Sequence, residues 1–357
     1  MIDPWETALT GNTLGPYRLE RVLGRGGFGY VFEATNQETA TPFALKVLSP
    51  SRGHDASAVI DFENECTLLK KLNPCSSVIN LVDSGVENVL VTLGGGEVPL
   101  SLKYHVLALA SGSLDELLVS PEQRLQLAWS ERLRLWRGAV KGVHQMHLKS
   151  IAHRDIKSEN CLLMVAGHRT EVRLADFGRS KDYTTPLRNS PEHYAEGRGD
   201  RRFAPPEHLL YQGGSTEDDY KSADLYGLGS LLVELTTGQP MTAIALGSWA
   251  DVQRLGLDDL TAGVVRDLAT LRPSFRSAIE AVSEEFPGSI RQDAAKLLAQ
   301  LCDPVPIARM PQRYKGRRAY IESDMHWLLR RIDILSHRLK VADRKRSNIS
   351  RITERSA

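Results

Sequence analysis

The chain has 357 residues, 41% of them hydrophobic and 25% charged, with a net charge of +1 at pH 7. That make-up is the one of an ordinary globular protein with room for two lobes and a tail; it excludes collagen-like, disulfide-scaffold and disordered classes, and it gives the whole molecule no field that would drive nucleic-acid or membrane binding. The charge is uneven, since Arg309 to Ala357 carries 14 Lys/Arg against 5 Asp/Glu, a net +9 that leaves −8 on the remainder.

From Tyr17 to about Leu109 the text is strand-like, with short apolar and β-branched runs such as Tyr30-Val31-Phe32 and Phe43 to Leu48, punctuated by Gly, Asn and Pro. The Gly94-Gly95-Gly96 stretch reads as a hairpin loop between two such strands. One helical pattern interrupts them, from Asp61 to Leu72, with Phe62, Leu68, Leu69 and Leu72 on one face and Asn73-Pro74 as its stop. From Ser111 onward helices dominate: Ser113-Leu114-Asp115 is expected to open one, Ser130 to His147 carries a long amphipathic pattern, and Ala223 to Thr237 is apolar enough to be buried. After Arg318 comes a separate tail in which Ile321, Met325, Leu328, Ile332, Leu335 and Leu339 recur at steps of 4, 3, 4, 3 and 4. Two readings of that seam stand: a last helix packed on its own domain, or a surface for a second copy or a partner, with a homodimer through 321–339 as the form to test.

Cys66, Cys75, Cys161 and Cys302 form no C-x-x-C pair, which argues against zinc or a disulfide framework and for a reducing compartment. The Met1-Ile2-Asp3-Pro4 start lacks the features of a signal peptide, and no apolar run approaches the roughly 18 residues of a membrane span. A cytoplasmic protein without membrane contact is the expectation.

Chemistry enters with Gly24-Arg25-Gly26-Gly27-Phe28-Gly29-Tyr30-Val31, a G-x-G-x-x-G-x-V string. Glycines let successive backbone N–H groups approach a phosphate. Because a strand follows rather than a helix, the string fits a glycine-rich hairpin over a nucleotide better than a dinucleotide fold. Lys46 lies inside the apolar strand that comes next and needs a partner if buried; Glu65 on the helix is the natural one, with Glu63 the neighbouring alternative. Further on stands His153-Arg154-Asp155-Ile156-Lys157-Ser158-Glu159-Asn160, and sixteen residues past Asn160 comes Asp176-Phe177-Gly178. Two acidic residues and an asparagine supply oxygen ligands for Mg²⁺ and leave one carboxylate for a hydroxyl proton.

In this order the motifs resemble those of the eukaryotic-like (Hanks-type) serine/threonine protein kinases. The resemblance implies an α+β, bilobal protein-kinase fold: a small antiparallel β N-lobe with one helix (about 17–109), a larger mainly α C-lobe (about 110–312), an N-terminal extension (1–16) and a basic amphipathic helical tail (313–357). It implies ATP and Mg²⁺ as cofactors, Gly24, Gly26, Gly27, Phe28 and Gly29 over the phosphates, and Lys46 on them with Glu65 as its ion-pair partner. Asp176 and Asn160 would hold the metal ions, Asp155 would accept the hydroxyl proton and Lys157 would neutralise the transferring phosphoryl group. Val31, Ala44 and Leu162 would sandwich the adenine, with Leu107, Leu109 and Ala110 in the hinge that reads it.

Supporting roles fall to Arg154, Phe177, Gly178 and Asp224, and to Glu207 of Pro205-Pro206-Glu207, paired with Arg309. Thr184 and Thr185 are the candidates for autophosphorylation. Ser158 stands where the family commonly has proline and is expected on the loop surface. Asp200 stands where serine/threonine kinases commonly have threonine, a carboxylate expected to bind Lys157 and repel Asp155. His144, His147 and His168 are taken as ordinary polar or core residues, and His153 as a packing residue.

The resulting expectation is transfer of the ATP γ-phosphoryl group to Ser/Thr hydroxyls of proteins. A scaffold acting through the basic tail would predict loss of Lys46, Asp155, Asn160 or Asp176, and all four are present. A small-molecule kinase of the aminoglycoside or choline type usually lacks the Lys157 position and the Pro205-Pro206-Glu207 segment. The basic tail leaves nucleic acid or an acidic protein open as partners, although a charge run is most often a solvated end.

Overall fold

A computed structural model describes residues 4–167, 169–186, 199–315, 318–321 and 325–356. Alternation of inward apolar and outward polar side chains builds the first lobe. Strands β1 (Thr13–Leu14), β2 (Tyr17–Arg25), β3 (Gly29–Asn36), β4 (Pro42–Leu48), β5 (Leu81–Leu93) and β6 (Gly96–Ala108) form one antiparallel sheet in the order β1-β2-β3-β4-β6-β5. The turn between β5 and β6 places Gly94 and Gly95 at φ 60° and 84°, the left-handed pair that a tight hairpin requires.

Leu19, Phe32, Ala34, Leu45, Val47 and Val106 make the inner face of the sheet, and Leu9 of helix α1 (Pro4–Leu9) joins them with no exposed surface. The residues ahead of Tyr17 thus contribute to the N-lobe core, and Glu6 of α1 pairs with Arg25 at the edge of the glycine hairpin (Nη2 to Oε2, 2.8 Å).

Helix α2 (Ala56–Leu72) starts five residues ahead of the expected Asp61, because Asp55 accepts the N–H groups of Ser57 and Ala58 as an N-cap. Its buried face is Ala58, Asp61, Phe62, Glu65, Leu68, Leu69 and Leu72, so Glu65 sits in an otherwise largely apolar stripe. The expected helix at Ser113 is not there. Gly112–Ser113 is instead a short strand, β7, paired with β9 (Cys161–Ala166), followed by one 3₁₀ turn; helix resumes at α3 (Pro121–Gln126) under a Ser120 cap.

The second lobe is organised on α4 (Trp129–Leu148) and α6 (Glu217–Thr237). Helix α6 is buried nearly all round, opens on a Thr216/Asp219 capping box and stops at Gly238 in the left-handed region (φ 78°). The buried Trp136 indole of α4 donates to the Leu228 carbonyl of α6 at 2.8 Å. Short strand pairs β9 with β10 (Arg169–Leu174), and β8 (Ile151–Ala152) with β11 (Lys181–Asp182), frame the loops between them. Around this core lie α5 (Pro206–Leu209), α7 (Met241–Leu246), α8 (Trp249–Thr261), α9 (Arg272–Ser283), α10 (Arg291–Leu301) and α11 (Pro306–Arg309).

The chain then forms a hairpin, β12 (Gln312–Lys315) with β13 (Arg318–Ile321), and a final helix, α12 (His326–Ser356). The heptad seam of the tail is spent on its own domain: Met325, Leu328, Ile332, Leu335 and Leu339 are all buried in the C-lobe core cluster, and α12 packs along α4. Arg137 of α4 donates to Asp333 at 2.7 Å, and Arg338 pairs with Asp293 of α10. Over 325–339 the seam is thus used within the chain, as the first of the two readings expects. Among the described residues no helix is long and apolar enough to cross a membrane.

Candidate active site

The cleft lies where the glycine hairpin of the sheet faces the loops after β8 and β10. Gly29 is demanded by the fold itself, since a Cβ there would meet the Val47 carbonyl oxygen at 1.9 Å. Gly24, Gly26 and Gly27 are not crowded in this way: a Cβ on Gly24 meets nothing within 4 Å, and on Gly26 or Gly27 its nearest neighbour is at 4.0 Å. The fold alone leaves these three glycines unexplained, and a phosphate chain lying on the hairpin would explain them. The Phe28 ring turns inward; it packs so closely on Gly178 that a Cβ there would meet the ring at 2.6 Å. Phe28 thus offers a ligand its backbone, with its side chain committed to the protein.

Lys46 is the electrostatic centre of the N-lobe half. Its ammonium donates to Glu65 Oε2 at 2.7 Å and to Asp176 Oδ1 at 3.0 Å. Burial by itself would favour neutral lysine, but Asp176 and Glu65 outweigh it and hold its pKa above the ordinary value. The same ammonium holds Asp176 below the usual carboxylate range. Glu65 also accepts the Phe177 N–H at 3.3 Å, so the helix carboxylate fixes the lysine and the Asp176-Phe177-Gly178 turn together. Its neighbour Glu63 pairs with Lys103, which settles the choice between the two glutamates.

In the C-lobe half, Asp224, two turns into α6, grips the catalytic loop. Its two oxygens accept the N–H of His153 (2.9 Å) and of Arg154 (2.8 Å), and His147 Nε2 lies 2.7 Å away. Burial would raise this carboxyl, but the His147 and backbone hydrogen bonds outweigh it and keep it low. His147, expected to be an ordinary core residue, therefore belongs to the support of the loop. Arg154 (φ 68°) and Asp176 (φ 62°) both occupy left-handed backbone, a strained region for side-chain-bearing residues that marks where the surroundings over-determine the conformation. His153 is wholly buried, with Nε2 at 3.1 Å from the Ala175 carbonyl, as its packing role requires.

Asp155 is oriented from two sides: Asn160 Nδ2 donates to its carbonyl (2.7 Å) and to Oδ2 (3.2 Å), and the Asp200 N–H donates to Oδ1 (2.8 Å). The repulsion expected from Asp200 does not arise, because the backbone of Asp200 faces Asp155. Its carboxylate turns to Lys157 (3.4 Å) and to the Arg202 guanidinium (2.6 Å). Lys157 also pairs with Glu159 at 2.9 Å. Ser158 is corrected from the loop surface to the interior: it has no exposed area, and both its N–H and its hydroxyl donate to Glu234 of α6, at 3.1 and 2.5 Å.

Glu207 and Arg309 form a bidentate pair at 2.7 and 2.8 Å, fully enclosed. In the segment after Gly178, Thr184 donates to Asp182 Oδ1 (2.6 Å), and Thr185 donates to the Asp182 carbonyl (2.8 Å) while accepting from Lys181 (3.0 Å). Arg154, Arg179 and Arg201 line one cavity with Asp155 and Asp200. Ser190 and Tyr194, further hydroxyl-bearing residues of the segment between Gly178 and Glu207, lie with His168 outside the described residues.

A nucleotide fits the cleft. Ala44 and Leu107 are buried in the cluster that crosses the two lobes, with Val31, Leu109 and Leu162 packed against it. Among the described residues, no hydrogen bond engages the backbone N–H of Leu109 or of Ala110, which leaves these groups for the edge of a base. A hard divalent cation fits too, because the donors are oxygens: the Asp176 carboxylate, 39% exposed toward the cleft, and the amide oxygen of Asn160, whose nitrogen is committed to Asp155.

A sheet lobe and a helical lobe joined at such a cleft, with a buried Lys–Glu pair reaching a cleft-facing aspartate on one side and an Asp–Asn loop on the other, define the class of two-lobed kinase folds. The family described as Protein kinase domain matches residues 17–314, and the chain belongs to it. Among relatives in Arabidopsis thaliana, a leucine-rich repeat receptor-like serine/threonine-protein kinase is 32% identical over 229 residues, 62% of this chain and 23% of the relative. Cysteine-rich receptor-like protein kinase 28 is 30% identical over 228 residues, covering 62% and 29%. A G-type lectin S-receptor-like serine/threonine-protein kinase is 28% identical over 235 residues, covering 65% and 26%. The chain spans about a quarter of the length of these relatives.

The sequence alone gave no sign of Glu234, Arg202 or His147, all of which act through other side chains. Only the placement of an ionisable residue inside the apolar run Ala223 to Thr237 could have singled out Glu234.

Proposed function

We propose that this protein is an active protein kinase that transfers the γ-phosphoryl group of ATP to Ser/Thr hydroxyls of protein substrates. The observation that carries the reading is the convergence of Lys46, Asp155, Lys157, Asn160 and Asp176 on one cleft in mutually supporting geometry. Lys46 holds the polyphosphate, already charged and already oriented by Glu65. Asp155, fixed from both sides, accepts the hydroxyl proton as the acceptor oxygen attacks. Lys157 faces the transferring group and stabilises the charge it carries. Asp176 and Asn160 would hold Mg²⁺, which would supply charge neutralisation for the phosphates.

Lys157 two residues after Asp155, together with the likeness to serine/threonine-protein kinases, favours serine and threonine as acceptors. Thr184 or Thr185 is the proposed site of autophosphorylation, and the cavity lined by Arg154, Arg179 and Arg201 is a suitable seat for the added phosphate. A reducing, cytoplasmic setting suits the four free cysteines.

The test is transfer of labelled phosphate from ATP with Mg²⁺ to a generic basic protein and to the kinase itself. Asp155→Asn is expected to lower kcat by about 10²–10⁴-fold with nucleotide binding retained. Label that persists unchanged in Asp155→Asn, or none in the parent protein, would defeat the reading. Peptide mapping that finds no phosphate on Thr184 or Thr185 in labelled, active protein would remove the autophosphorylation site.

A further inference from the structure

Helix α6 touches the catalytic loop at two places. Two turns into it Asp224 takes the N–H groups of His153 and Arg154, and ten residues later Glu234 takes the N–H and hydroxyl of Ser158. Ten helical residues span about 15 Å, so the two carboxylates bracket the segment that contains Asp155 and Lys157.

Resting on the reading of this protein as a kinase, we propose that the Glu234–Ser158 contact is a second anchor of the catalytic loop, with Glu234 a positioning residue for phosphoryl transfer. Ser158 begins the single 3₁₀ turn Ser158–Asn160, and the Asn160 N–H closes that turn onto the Lys157 carbonyl at 3.1 Å. Asn160 at the other end of the turn is the residue that orients Asp155. Lys157, immediately before the turn, is fully extended (φ −157°, ψ 168°), so a displacement of Ser158 passes directly to its ammonium. Glu234 therefore fixes one point from which both Lys157 and Asp155 take their places.

The cost of the arrangement argues for the role. Ser158 has no exposed area and Glu234 is 7% exposed. Burial, with Glu159 and Asp115 nearby, pushes the Glu234 carboxyl up. An apolar side chain of similar size would sit here without that penalty. What the carboxylate supplies is direction, since its two oxygens bind two donors of one residue and so set both the position and the rotation of the turn.

The test uses the full chain and steady-state kinetics. Ser158→Ala is expected to lower kcat on the order of tenfold, with KM for ATP within about twofold of the parent and unfolding temperature little changed. Ser158→Thr, which keeps the hydroxyl, is expected to restore most of the rate. The double variant Ser158→Ala with Glu234→Gln should be scarcely slower than the slower single variant, because both act on one contact. Should Glu234→Gln fail to fold, the Ala/Thr pair at Ser158 carries the test alone.

Parent-like kcat in Ser158→Ala, no rescue by Ser158→Thr, or effects that multiply in the double variant would each overturn the anchor. If the parent protein transfers no phosphate, the functional reading falls separately. Amide hydrogen exchange over residues 153–160 then decides the anchor: faster exchange in Ser158→Ala upholds it, and unchanged exchange overturns it.

Discussion

The two halves of the cleft each hold a lysine among carboxylates, and they do so on different terms. Lys46 and Glu65 are sealed, with side chains 7% and 2% exposed, and the ammonium also pairs with Asp176. Lys157 shares its carboxylates with a second cation: Asp200 also binds Arg202, and Glu159, 47% exposed, reaches solvent. A sealed pair fails when one member is lost, because a buried charge is left without compensation. A network with a spare cation yields by degrees. The N-lobe half thus fixes geometry, while the C-lobe half can be tuned.

The largest effect expected from this contrast is at Lys46. Lys46→Met should abolish transfer and, by stranding Glu65 and Asp176, cost about 3–5 kcal/mol of stability, read from urea unfolding. Lys157→Met should also slow transfer, yet cost less than about 1 kcal/mol, because Arg202 still faces Asp200. Equal destabilisation by the two variants would break the comparison.

A smaller effect is expected at Asp200. Asp200→Asn keeps the backbone N–H that orients Asp155 and removes the carboxylate that competes for Lys157. Its kcat should shift by less than about fivefold, with the change appearing chiefly in KM for ATP, whereas Asp155→Asn falls by orders of magnitude. A collapse of kcat in Asp200→Asn would mean that the carboxylate, and not the N–H, is the working part of that residue.

A further effect is one of pH, and it separates the two anchors on α6. Burial, with Glu159 and Asp115 adding repulsion, pushes Glu234 from 4.5 up to about 7 against the donors of Ser158; Cys161 and Arg202 are the other titratable groups that feel its charge. The folded state then keeps a proton that the unfolded chain has lost. That contribution is full below about pH 4.5 and disappears as pH rises through about 7. The stability advantage of the parent over Glu234→Gln should accordingly shrink between pH 5 and pH 8 in urea melts, and a flat difference would refute the shift. Asp224 runs the other way: its carboxyl is held low, so its contribution is present at neutral pH and lost only as acid protonates it.

Most of the site was legible because its residues come in short runs whose spacing survives folding. His153 to Asn160 and Asp176 to Gly178 carry their geometry in local backbone, and Lys46 announced itself as a charge in an apolar strand. The two-lobe division and α4 were legible for a similar reason, hydrophobic periodicity. What could not be read depended on pairs distant in sequence. Ser158 looked like a surface substitution because its partner stands 76 residues away. Asp200 looked repulsive because a sequence gives the identity of a side chain, not which of its atoms faces a neighbour. The strand at Gly112–Ser113 was misread as a helix start because its pairing partner, β9, is about fifty residues downstream. The tail seam had the right period for two destinations, and nothing in its own spacing showed that α4 would take up residues 325–339.

That last contact has a consequence for how the protein is made. Arg137 and Asp333 are separated by 196 residues, and the apolar edge of α4 is covered by residues 325–339. Closing so long a loop is among the slow steps of chain folding. A ribosome making this chain will have released both lobes before the helix that covers α4 is synthesised. The helix that leads into the catalytic loop therefore waits, partly uncovered, while the 196 residues from Arg137 to Asp333 are added, and a chaperone would find its handle there.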